Sequence, residues 1–135
     1  MMTKQQSDAA GMSEVEKQDI AQLEEFVNDA VSRMAASTNV RREDALEILE
    51  NIHVEMVGEL RHAVETLGNS NRVVKRIDSN KLIHEIEKTI AAISNATDLD
   101  TDEITTIFSK EPGASLADVS YRLHVRSQYD RSRFA

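Results

Sequence analysis

The sequence predicts an all-α fold: a small helical bundle built on a long antiparallel helical hairpin, with two short C-terminal helices. Three observations carry that prediction. Apolar residues recur at alternating intervals of three and four along much of the chain, the period of one helical face. Four Gly and one Pro among 135 residues leave few tight turns, while Ala, Leu, Ile, Glu, Lys and Arg are plentiful, a balance that favours long helices with short connections. Capping patterns stand where the apolar stripes begin, at Ser13 with Glu16, at Asp100 with Glu103 and at Ser115 with Asp118.

Taken in order, residues 1–12 are polar and small and are expected to form a flexible N-terminal segment. Ser13 and Glu16 open a first helix whose stripe is Ile20, Leu23, Val27, Ala30 or Val31, and Met34. Ala35 to Asn39 breaks the stripe, and Thr38 or Asn39 is expected to cap the next helix. That second helix is expected from about Val40 to Leu67, stopped by Gly68. Arg72 to Arg76 reads as a basic connector. Asp78 or Ser79 caps a third helix with Leu82, Ile83, Ile86, Ile90 and Ile93 on one side. Ile104, Ile107 and Phe108 mark a short fourth helix, a Pro112-Gly113 turn comes next, and Leu116, Val119 and Leu123 mark a short fifth. The expected organisation is therefore 1–12 flexible, 13–97 helical hairpin and bundle, and 98–135 a small C-terminal helical segment with a basic aromatic tail.

The clearest periodic signal lies within the second helix, at Leu46, Leu49, His53, Met56, Leu60, Ala63 and Leu67. One such position per turn over three heptads makes a seam that seeks another helix, so these seven residues are the expected self-association seam of a homo-oligomer. His53 sits on the seam itself. A buried imidazole disfavours its charged form, so the seam is expected to weaken in acid.

Charge is unevenly distributed. Residues 1–70 hold six Lys or Arg and fourteen Asp or Glu, whereas residues 71–135 hold ten of each, which accounts for the net charge of −8. After Val119, Arg122, Arg126, Arg131 and Arg133 face Asp130 alone. An acidic body argues against coating nucleic acid, while the basic end leaves room for a local contact. The absence of Cys excludes disulfides and thiolate metal sites. The N-terminus lacks the apolar core of a signal peptide, and no run approaches the ~20 apolar residues of a membrane span. A cytoplasmic location, or the interior of a virion or assembly, is the expectation, with no membrane contact.

Catalytic constellations are weak. Glu55, Glu59 and His62 follow the spacing of a di-metal ligand set, but the second Glu-x-x-His that a ferritin-like centre requires is lacking, since His84 to Glu87 runs in the reverse order. A phosphotransfer histidine at His62 would be followed by Glu65, which repels a phosphoryl group. Glycine-rich phosphate loops and nucleophile elbows are missing. No enzyme, metal or cofactor is expected.

The C-terminal third is the one arguable binding module. Residues 104–125 resemble the opening of a helix-turn-helix: a short helix, the Pro112-Gly113 turn, then a capped helix with small Ala117 and Ser120 facing inward. That resemblance implies a turn at His124 and a recognition helix over 127–134, with Arg126, Arg131 and Arg133 on phosphates. The same end also reads as a docking tail, with Tyr121, Tyr129 and Phe134 interleaved with arginines, the residue types that dominate interface hot spots. Arg122, Arg126, Tyr129, Arg131, Arg133 and Phe134 are accordingly the expected partner-binding residues. An acidic helical body with a basic tip is similar in composition to phage scaffolding and assembly factors. The expected function is that of a non-enzymatic helical interaction protein, an assembly factor, adaptor or chaperone-like protein, that binds itself and another protein. The alternative is an oligomeric DNA-binding regulator or packaging factor using the degenerate helix-turn-helix near 104–134.

Overall fold

The computed structural model describes residues 13–53, 59–110, 113 and 115–134, with side chains as far as Gln128. Among the described residues the chain forms seven α-helices and no strand: α1 (Glu14–Thr38), α2 (Arg42–Glu50), α3 (Leu60–Gly68), α4 (Arg72–Arg76), α5 (Ser79–Thr97), α6 (Thr101–Lys110) and α7 (Leu116–Phe134). The protein is an all-α helical bundle. α1 is its central rod and packs against α2, α5 and α7, while α6 bridges α2, α5 and α7. α3 packs on α5 and on the short α4.

The helix starts follow from local chemistry. Ser13 Oγ accepts from the Glu16 amide at 3.1 Å and Glu16 returns its carboxylate to the Ser13 amide, a complete capping box. Asp100 and Glu103 make the same reciprocal pair, at 2.8 and 3.2 Å, and so do Ser115 and Asp118, at 3.1 and 3.4 Å. Asp78 caps α5 by accepting from the Asn80 amide. The basic connector is itself a turn of helix, α4, because Asn71 Oδ1 accepts from both Val73 and Val74.

One core unites the chain. Val27, Val31 and Met34 of α1, Ala45, Ile48 and Leu49 of α2, Leu82, Ile86, Ile90 and Ile93 of α5, Ile104 and Phe108 of α6, and Leu116, Val119 and Leu123 of α7 belong to a single buried cluster. Burying each large aliphatic or aromatic side chain contributes about 1.5–3 kcal/mol, so residues beyond 98 are as much part of the stabilising interior as the first helix. The last helix is the long one of the C-terminal pair, 19 residues against 10 in α6.

The continuous second helix expected over 40–67 does not form. α2 stops at Glu50, Asn51 and Ile52 leave the helix, and α3 begins only at Leu60. At Asn51 the side-chain amide donates to the Glu47 carbonyl at 2.8 Å, closing the last turn locally. Ile52 is fully buried just beyond the helix end, which anchors the chain where it departs. The caps expected at Thr38 or Asn39 are also placed differently. Thr38 Oγ1 donates back to the Met34 carbonyl, and Asn39 takes the left-handed conformation (φ 59°) that terminates α1. Arg41 precedes α2 without a side-chain cap.

Candidate docking groove between α6 and α7

The seven-residue seam is dispersed by the break. The buried stripe of α2 is Ala45, Ile48 and Leu49, continued by Ile52, so Leu46 lies to one side of it and is only half-buried. Ala63 is buried, and Leu60 and Leu67 pack partly against the same core. His53 is exposed and outside any helix, so it lacks the burial on which its expected acid sensitivity depends. Met56 lies outside the described residues. The 46–67 spacing therefore does not lie along one helix: α2 ends at Glu50, Asn51 to His53 are non-helical, and Leu60, Ala63 and Leu67 belong to α3.

The helix-turn-helix expectation is corrected in the same way. α7 runs unbroken from Leu116 to Phe134, through the turn expected at His124. The reason is packing. Leu116, Val119, Ser120, Leu123, His124 and Ser127 are all buried at helical spacing, one stripe along one helix. Of the two small residues expected to face inward, Ser120 is buried and Ala117 is exposed. Ser127 Oγ donates to the Thr97 carbonyl at 2.9 Å, tying α7 to the end of α5 beyond the supposed turn. His124 is buried with its Nε2 3.6 Å from a Glu16 carboxylate oxygen, joining α7 to the start of α1. Sequence alone misses this residue because a histidine in an apolar stripe looks like an interruption.

The opposite face of α7 is unlike the rest of the surface. Among the described residues only three large apolar side chains are exposed, and two of them, Tyr121 (41% exposed) and Val125 (45%), stand one turn apart on this face. They border a groove of about 580 Å³ between α6 and α7, with Ile107 of α6, half-buried, also lining it. Arg126 links the two helices, its Nε donating to Glu103 Oε2 at 2.9 Å. Asp102, Lys110 and Arg122 complete the polar rim. An apolar strip with ionic margins has the chemistry to accept the apolar face of an amphipathic helix. The partly exposed Arg126–Glu103 pair adds little stability, about 0–1 kcal/mol.

Of the six expected partner-binding residues, Arg122 and Arg126 fall on this groove. The side chains of Tyr129, Arg131, Arg133 and Phe134 lie outside those described. Glu59, His62 and His84 are exposed, and Glu55 lies outside the described residues. Among the described residues no three His, Asp or Glu side chains gather closely enough to hold a metal ion. Nor, among them, is any helix long and apolar enough to cross a membrane.

One buried acid connects this region to the rest of the bundle. Glu50, at the end of α2, accepts from the Gly113 amide at 3.1 Å, across the turn that precedes α7. Burial raises its carboxyl above the usual range; the Gly113 hydrogen bond offsets part of that, and neighbouring Glu47 adds to it. Gly113 adopts φ 87°, open to glycine without strain, which lets its amide turn toward Glu50. Comparison with known proteins gives no match of significance to this chain among family models, curated proteins or solved structures.

Proposed function

We propose that this protein is a non-enzymatic helical interaction protein, an adaptor or assembly factor, whose α6–α7 groove receives an amphipathic helix of a partner protein. The observation that carries this reading is the placement of Tyr121 and Val125. In a bundle that shields nearly every other large apolar side chain described, two exposed ones share a single groove. Contiguous exposed apolar surface of this kind marks interaction sites in soluble proteins, and Tyr121 shares the groove with Arg122 and Arg126, tyrosine and arginine being residue types enriched at binding hot spots.

The test compares two forms of the full chain, wild type and the Tyr121→Ala/Val125→Asp double variant, as immobilised bait. A protein retained by the wild type and lost with the double variant supports the groove. Retention unaffected by the substitutions removes it. Homo-oligomerisation belongs to the same proposal as a second interaction: native mass measurement at tens of micromolar decides it, and dissociation by Val125→Asp would make a second copy the groove's occupant. For the DNA-binding reading, residues 127–134 continue α7 rather than forming a separate recognition helix, and Arg122 and Arg126 make it testable. Retention on duplex DNA at moderate salt, abolished by Arg122→Glu/Arg126→Glu, would support it in place of the protein partner.

A further inference from the structure

A second surface stands apart from that groove. Where the C-terminal end of α1, the start of α2, α4 and the start of α5 meet, the bundle leaves a cleft of about 760 Å³. Val40, Val73 and Ile77 give it an apolar wall. Arg41, Arg76 and Lys81, all exposed, line it together with Asp44 and Asp78.

Both acids are already engaged within the chain. Asp44 accepts from Arg41, Nε to Oδ2 at 3.3 Å. Asp78 is the N-cap of α5, accepting from the Asn80 amide at 3.1 Å. Arg76 and Lys81, by contrast, have no ion-pair or hydrogen-bond partner among the described residues. They belong to a cationic stretch, Arg72, Lys75, Arg76 and Lys81 against Asp78 alone, inside a chain of net charge −8. An acidic protein has ample carboxylate with which to neutralise such a stretch, yet among the described residues these two charges stand unpaired beside partly buried apolar side chains.

We propose that this cleft docks an acidic peptide segment of a partner protein, its carboxylates on Arg76 and Lys81 and an apolar side chain against Val40, Val73 and Ile77. Two features favour a peptide over other anions. The apolar wall offers nothing to a free phosphate but contributes to holding a side chain. A nucleic acid would bring its long run of charge against the acidic body, whereas a short segment meets only the local cations. An arginine fork suits a carboxylate in bidentate geometry, and the lysine supplies a second, mobile charge. The proposal is independent of the α6–α7 groove: either surface stands if the other fails.

The test is fluorescence anisotropy on the full chain with a labelled peptide of repeated Glu-Glu-Leu, its Lys-Lys-Leu counterpart and a labelled DNA duplex. The expected result is saturable binding of the acidic peptide, weakened by salt and weakened about tenfold or more by Arg76→Glu/Lys81→Glu. Val125→Asp, on the other groove, should leave it unchanged. Both cationic positions are exposed, so circular dichroism should confirm that the double variant keeps its helices. Absence of acidic-peptide binding at millimolar protein overturns the proposal, as does equal binding of the Lys-Lys-Leu peptide. Loss of DNA binding, rather than peptide binding, in the double variant would overturn it in favour of a nucleic-acid contact.

Discussion

The two faces of α7 are built from neighbouring residues and do opposite things. Leu116, Val119, Leu123 and Ser127 look inward and are closed from solvent, whereas Tyr121 and Val125, interleaved between them, are exposed on a groove. The inward face makes this helix part of the core: it packs on α1, and its hydroxyl and imidazole reach α5 and α1. The outward face retains apolar area that the bundle does not use. Helical periodicity alone separates stabilising positions from proposed binding positions within a dozen residues.

The largest effect should come from breaking the inward face. Leu123→Ala removes a side chain with no solvent exposure and should cost about 2–5 kcal/mol, read from the urea midpoint. A cost near zero would mean that the inward face is not packed as described. Next comes the turn that aims α7. Gly113→Ala forces a side chain into φ 87° and should cost about 1–2 kcal/mol, although no atom obstructs the added methyl. If the variant melts like the wild type, the left-handed turn is not required. Ser127→Ala should cost about 1 kcal/mol by removing the hydroxyl that holds the Thr97 carbonyl, with Ser127→Thr as the variant that keeps it.

Glu50 sharpens the comparison from the other end of the turn. Its carboxyl is raised in the folded chain, chiefly by burial, so the folded state holds the proton more tightly than the unfolded state. Stability therefore falls as pH rises from the unfolded value, near about 4.3, through the folded one, and the penalty is complete above it. Glu50→Gln keeps an oxygen for the Gly113 amide and removes the charge. The stability difference, variant minus wild type, should be small in acid and grow in favour of the variant toward neutral pH. A difference that is flat with pH would show that Glu50 is solvated.

Some of this architecture is legible in the sequence and some is not. The all-α class, three capping boxes and the buried stripe of α5 follow from short-range rules, and the sequence displays them directly. The second helix shows where such rules stop. Leu46, Leu49 and His53 have the right spacing, but spacing cannot reveal that Asn51 closes the helix on itself and that Ile52 is the residue the core takes. The helix-turn-helix expectation for α7 fails for the converse reason. Ser120, His124 and Ser127 look like polar interruptions, yet they line the inward face because α1 and α5 lie against it. Tertiary neighbours decide both cases. The cluster of Tyr121, Arg122 and Arg126 can be singled out by residue type, but the groove requires α6 to lie alongside, with Glu103 on Arg126.

The smallest effect on stability should accompany the largest on binding. Val125→Asp places a charge at a position already 45% exposed, so its stability, read from the urea midpoint, should lie within about 0.5 kcal/mol of the wild type. The most direct measurement takes one preparation of wild type and one of Val125→Asp, records both unfolding curves, and passes the same cell extract over each protein immobilised. Superimposed curves together with a partner retained only by the wild type are the outcome that the separation of the two faces predicts. A loss of several kcal/mol, or a partner retained equally by both, would contradict it.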